Sequence, residues 1–338
     1  MIFQYWLLPL VFIISIFGTH LLRSYSLANS LIDVPNARSS HTVPTPRGGG
    51  VAIVLSFILG LFVIYLFQSY DRAVTLSIVV GGIFTAVIGF LDDHGHVPAF
   101  WRLLGHFTAS FFALYFIQNI PDLLFFGLTL KASWVTYTLA CLYLVWMLNL
   151  YNFMDGIDGL SSVQAIFVCL GGSFLYFLSG EAELVWEPLL LASAVSGFLY
   201  WNFPPARIFM GDAGSGFLGI TLGLFSLQAG LLDPVLFWGW LILMGVFIVD
   251  STLTLLVRVL RGEKIYEAHR SHAYQFASRY LKSHIRVTSI VVALNIFFLL
   301  PIASLVALKV LDGFLGMLLA YIPLVLIALF LKAGRAEI

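Results

Sequence analysis

Residues 135–159 read VTYTLACLYLVWMLNLYNFMDGIDG. The segment 135–154 carries no charge, and about 20 such residues in a helix cross the hydrocarbon core of a bilayer. Asp155 and Asp158 follow at once. Other stretches of spanning size fall at 3–22, 48–67, 73–91, 103–120, 160–179, 185–201, 216–232, 235–257, 287–308 and 313–331, which with 135–154 makes eleven spans. These runs are continuous and lack the alternation of barrel strands. The expected fold is all-α, a polytopic membrane bundle forming one domain over 1–338.

Composition agrees. Of 338 residues, 60% are hydrophobic and 10% charged, against about 25% charged in a soluble domain. Net charge is zero, so no nucleic-acid partner is expected. Cys141 and Cys169 sit in apolar runs without CxxC spacing, as buried small hydrophobes do. The N-terminus lacks a basic region before its apolar run and reads as a retained helix, not a cleaved signal. No internal repeat or soluble domain is evident.

Lysine and arginine set the orientation. The side holding the 23–47 loop carries 14 of them, and the opposite side only Arg72, Lys131 and Lys309. The first side is therefore expected to be cytoplasmic, with an external (periplasmic) N-terminus and a cytoplasmic C-terminus. The same parity gathers the polar segments 33–47, 92–102, 152–158, 202–215 and 261–286 on that side. Such one-sided clustering points to an enzyme.

Asp92-Asp93 ends the third span, at the helix-dipole end that disfavours anions, so a nearby cation is expected. Asp155 and Asp158, spaced i,i+3, would share a helical face, with Gly156 and Gly159 leaving room for a ligand. The spacing is not an EF-hand. The glycine-rich segment from Asn202 to Gly216 carries Asp212 and could present backbone N–H groups to phosphate, although no P-loop GK[ST] follows. In the first loop, Arg38, His41 and Arg47 suit phosphates. His269 and His272 flank Arg270, and without a third soft ligand they suit an anion better than zinc. Asp250, within a span, is costly unless functional or structural. Carboxylates gathered this way call for a divalent cation. Oxygen ligands favour Mg²⁺, with Mn²⁺ the alternative, and a phosphorylated substrate beside a lipid reactant follows.

The motifs Asp92-Asp93, Asn152-x-x-Asp155-Gly-x-Asp158-Gly, Asn202-x-x-Pro-Ala-x-x-Phe-Met-Gly-Asp212-x-Gly and His269-Arg270-Ser-His272 resemble those of the polyprenyl-phosphate N-acetylhexosamine-1-phosphate transferases. That family includes the phospho-N-acetylmuramoyl-pentapeptide transferase. Asp33-x-Pro-Asn36 and the eleven-span layout look most like the O-antigen-initiating branch. The resemblance implies a bacterial inner-membrane enzyme with its active site facing the cytoplasm. It would transfer a sugar-1-phosphate from a UDP-N-acetylhexosamine to undecaprenyl phosphate. It further implies that Asp212, with Asp92 beside it, holds Mg²⁺ and that Asp92-Asp93 lies by the lipid phosphate. Asn152, Asp155, Asp158 and Asn202 would line the nucleotide pocket, and His269, Arg270 and His272 would face the pyrophosphate or sugar. Here Ala273-Tyr274 replaces a further histidine, and His-Gly-His follows Asp92-Asp93. Both departures leave the donor open among GlcNAc, GalNAc, FucNAc and QuiNAc.

The lipid phosphate is already an anionic nucleophile, so direct in-line displacement is favoured. A two-step route through Asp93 or Asp155 is the chemical alternative. A transporter is the rival class, but transporters place such residues near the midplane within repeated halves. The homodimer remains a possible assembly.

Overall fold

In lipid, a chain must satisfy its backbone polar groups within each segment, and a helix does so. The computed structural model describes residues 2–35, 40–67, 72–95, 97–263 and 269–335. Its helices follow the apolar runs: α1 Ile2–Ala28, α2 Gly50–Phe67, α3 Arg72–Gly95, α4 Ala99–Ile117, α5 Trp134–Met154, α6 Leu160–Leu178 and α7 Trp186–Asn202. Then come α8 Asp212–Leu232, α9 Pro234–Leu243, α10 Gly245–Leu260, α11 Ala273–Leu281, α12 His284–Leu294, α13 Leu300–Ala307 and α14 Gly313–Phe330. A π turn, Asn295–Leu299, joins α12 to α13 into one span. Among the described residues, ten helices are long and apolar enough to cross a membrane, or eleven with the bent pair α9–α10.

That pair departs from expectation. The run 235–257 reads as one helix, yet the chain bends by 72° between α9 and α10. The carbonyls near the break find side-chain partners: Gln164 Nε2 donates to Leu243 O at 3.1 Å and Tyr321 Oη to Leu241 O at 2.8 Å. Asn295 Nδ2 holds Gln164 Oε1 at 2.7 Å. Broken backbone is tolerated at membrane depth where protein buries it in this way.

The innermost span is α8. Its window is 89% buried, against 22% for α1, so α1 is left to face lipid. α8 packs between α3 and α5, bringing its N-terminus to the C-terminal ends of both. Close approach there requires glycine. A Cβ on Gly89 would run into the backbone of Asp212 and Ala213.

Two short antiparallel hairpins complete the architecture. β1 (Ile32–Asp33) pairs with β2 (Thr45–Pro46), Ile32 opposite Pro46. β3 (Leu123–Phe125) pairs with β4 (Leu128–Leu130) between α4 and α5. After β2 the chain pairs on with the segment before α8, through Phe209 N to Pro46 O at 2.8 Å and Gly50 N to Met210 O at 2.9 Å. This strap carries Arg47 to the ends of α3 and α8.

Candidate functional site

Asp92 and Asp93 are adjacent on the last turn of α3 and point to different partners. Asp92 accepts from Arg102 Nη1 and from Val97 N, both at 2.6 Å. Asp93 accepts from the backbone N–H groups of Asp212 and Ala213 at 3.2 and 3.4 Å. The dipole conflict noted in the sequence is thus relieved twice, by a guanidinium at Asp92 and by the positive end of α8 at Asp93. Arg47 Nη2 donates to Asp93 O at 2.5 Å.

The first turn of α8 was expected to offer its N–H groups to a phosphate. Asp93 takes those of residues 212 and 213, and Gly211 O accepts those of Gly214 and Ser215. A carboxylate from another helix therefore serves as the cap. Gly211 makes room for it. Its φ is +78°, and a Cβ there would lie 2.5 Å from Asp93 Oδ2.

Asp212 is held from two sides. Asn152 Nδ2 donates to Asp212 Oδ1 at 2.7 Å and to Ser215 Oγ at 3.1 Å. Arg102 Nη1 reaches both acids, 2.6 Å from Asp92 Oδ2 and 3.5 Å from Asp212 Oδ2, and two carboxylates gathered in this way are stabilised by positive charge. No group of three or more His, Cys, Asp or Glu able to hold a metal exists among the described residues. Two neighbouring carboxylates are the set that a divalent cation takes when substrate phosphates and water complete its sphere.

Asp155 and Asp158 do not share a helical face as expected. α5 ends at Met154, Asp155 leaves it with φ −86° and ψ 45°, and Gly159 is left-handed at φ +74°. The two side chains are therefore not stacked on a helix, yet both line one cavity. Burial, with the neighbouring Asp212, Asp93 and Asp158 carboxylates, pushes Asp155 up to about 8. For Asp158, burial is outweighed by hydrogen bonds from His284 and from Ala206 N (3.0 Å), which hold it below the usual carboxylate value.

Asn202 is buried with its amide engaged by protein. It accepts from Gly159 N at 3.0 Å and Ser162 Oγ at 3.3 Å, and donates to Ile208 O at 3.1 Å. It clamps the 155–159 loop to the strap before α8.

Most of these residues, but not Asp92 or Arg102, which lie behind Asp212, line a cavity of about 610 Å³, within the range of small-molecule sites. Its walls include Arg47, His41, Asp93, Asn152, Asp155, Asp158, Asn202 and Asp212, with Asp33 and Gln275. An adjoining cavity of about 550 Å³ shares His41 and Asp158 and carries Arg270, Arg279 and His284. Arg38 lies outside the described residues.

The structure places His269 and His272 on neither cavity wall. His272 is buried, its ring 6.1 Å from that of Phe153 and its Nδ1 3.4 Å from Asp250. Burial, helped by His272 and Arg258, lowers His269 to about 3. Asp250 itself caps α11, accepting from Ala273 N and Tyr274 N at 2.9 Å each. Tyr274 Oη then donates to Phe153 O at 2.9 Å, so the intramembrane acid supports the Asp155 loop through α11.

Sequence reasoning missed Arg102, His284 and Gln275 as site components. Arg102 had a signal: it is the one arginine in the polar segment 92–102 that opens on the aspartate pair. His284 had none, because only the tertiary fold brings α12 to the 155–159 loop.

Fold and site together define a multi-pass helical membrane protein with an acid-lined cavity where three spans meet. The model of glycosyl transferase family 4 matches residues 75–230. That range carries Asp92, Asp93, Asn152, Asp155, Asp158, Asn202 and Asp212. The chain is 29% identical over 297 residues to the probable undecaprenyl-phosphate N-acetylglucosaminyl 1-phosphate transferase of Bacillus subtilis, covering 85% of this chain and 80% of that protein. It is 28% identical to the decaprenyl-phosphate N-acetylglucosaminephosphotransferase of Mycobacterium tuberculosis, covering 82% and 76%. To the phospho-N-acetylmuramoyl-pentapeptide-transferase of Streptococcus thermophilus it is 30% identical, covering 67% and 69%. The chain belongs to glycosyl transferase family 4.

Proposed function

We propose that this enzyme transfers an N-acetylhexosamine-1-phosphate, most simply N-acetylglucosamine-1-phosphate, from its UDP-sugar to undecaprenyl phosphate. An oxygen of the lipid phosphate forms a bond to the β-phosphorus of the donor. The bond from that phosphorus to the bridging oxygen breaks, and UMP departs with the electron pair. The observation that carries this reading is Asp212, fixed by Asn152 and facing Asp92 at the rim of a cavity that also presents Arg47 and His41. The names of the relatives support the polyprenyl phosphate and the amino sugar.

Asp212 and Asp92 would hold Mg²⁺, or Mn²⁺ in its place, and the ion would neutralise pyrophosphate charge. Arg47 and His41 would position phosphate oxygens, while Arg102 holds the Asp92 carboxylate in place. Both oxygens of Asp93 accept hydrogen bonds from the start of α8, so attack by Asp93 would cost that cap. This supports direct displacement, with Asp155 the residue to test for a covalent route. Positive charge on the loops of this side supports a cytoplasmic site in a bacterial inner membrane. The lipid-linked product would begin a surface polysaccharide, O-antigen among the candidates.

The test is release of UMP from UDP-GlcNAc by the purified protein with undecaprenyl phosphate. Turnover should require both the lipid phosphate and a divalent cation. Cation-independent release would remove the Asp212–Asp92 assignment, and no release with any UDP-amino sugar would refute the activity.

A further inference from the structure

The ends of α1 and α7 on the side of the polar loops meet in a patch that lies off both polar cavities. Arg23, in the last turns of α1, donates from Nε to Arg207 O at 3.2 Å. The Arg207 guanidinium lies over the rings of Tyr200 and Trp201, 5.4 and 5.3 Å from their centroids. His20 stacks on Trp201 at 5.4 Å, and Trp201 Nε1 is tied to Ile16 O at 3.1 Å. Arg207 and Tyr200 are exposed and Arg23 is half-buried. No ion pair involves either arginine among the described residues.

We propose that Arg23 and Arg207, framed by Tyr200 and Trp201, bind the phosphate headgroup of an anionic phospholipid of the surrounding bilayer. Depth supports this. Tyr200 and Trp201 are within two residues of the end of a 21-residue span, Ala182–Asn202, where aromatic rings sit at headgroup level. Charge supports it as well: two guanidiniums with no carboxylate partner among the described residues complement a phosphodiester, whose oxygens match their planar fork. The aromatic faces hold Arg207 in place beforehand, which reduces the ordering cost of binding. Neither arginine lines either polar cavity. A polyprenyl phosphate must reach the Asp212 cavity to react, so a phosphate bound at this patch belongs to a resident lipid.

The site can be tested without turnover. Full-length protein in phosphatidylcholine nanodiscs would be titrated with phosphatidylglycerol, and bound lipids counted by native mass spectrometry. Arg23→Gln/Arg207→Gln, the corresponding double lysine variant and wild type would be compared. Each arginine near the membrane surface is expected to contribute about fivefold, so the double glutamine variant should bind about 25-fold more weakly. The lysine variant should fall between, keeping the charge and losing the fork. Unchanged phosphatidylglycerol binding in the glutamine variant would overturn the site, as would equal retention of phosphatidylcholine by wild type. Loss of undecaprenyl phosphate binding alone would transfer the patch to the substrate lipid and also overturn it. If the double variant melts early by circular dichroism, Arg23→Gln carries the test, with a fivefold loss expected. Because lipid binding is read directly, the result stands apart from the proposed activity.

Discussion

Two asparagines of the same motif set, Asn152 and Asn202, are expected to fail in different ways when replaced by alanine. Asn152 donates to Asp212 Oδ1 at 2.7 Å, and a hydrogen bond to a charged group contributes about 1.5–3 kcal/mol. If Asp212 holds the cation as proposed, loss of its Asn152 partner corresponds to about 10–100-fold in cation affinity or rate. Asn152 is only half-buried, so its removal should lower the thermal midpoint less than removal of Asn202 does. Asn202 is 3% exposed and joins Gly159 N, Ser162 Oγ and Ile208 O. Its alanine variant leaves buried backbone groups without partners, at about 1–3 kcal/mol each, and should melt markedly earlier. The assay is UMP release titrated with Mg²⁺, alongside thermal unfolding in detergent. Wild-type cation half-saturation and rate in Asn152→Ala would refute the placement of Asp212. An Asn202→Ala protein as stable as wild type would refute the clamp.

Asp212→Asn should fold and insert normally yet lose turnover, as measured by UMP release; near-normal activity would exclude it as the cation ligand. Gly211→Ala places a Cβ against the Asp93 carboxylate at a left-handed φ, which costs about 1–2 kcal/mol from the backbone alone. A lowered melting point with reduced rate is expected. Asp155, pushed up to about 8 from an ordinary value of 3.8, keeps in the folded protein a proton that the unfolded chain releases. Its stabilisation is therefore present in acid and lost as pH rises toward about 8. In cation-free buffer, the fall in melting temperature over that window should be smaller in Asp155→Asn, and an equal fall in both proteins would rule out the raised value.

The sequence alone determined the membrane class and the positions of the spans, because a helix in lipid must be continuous, apolar and of a set length. The run 135–154 became α5, Trp134–Met154, with only its first residue shifted. The sequence also named the acids, since Asp92, Asp93, Asp155, Asp158 and Asp212 stand out against apolar surroundings. It could not divide their labour, which depends on partners distant along the chain. Asp93 caps a helix that begins 119 residues later, and Asp250 caps α11 instead of joining the cavity. The family resemblance implied that His269 and His272 face the substrate, and the fold packs both rings against Phe153. The break at Met244 was equally hidden. An apolar run does not reveal a bend whose freed carbonyls are satisfied by Gln164 and Tyr321 from other spans, and only packing supplies those partners.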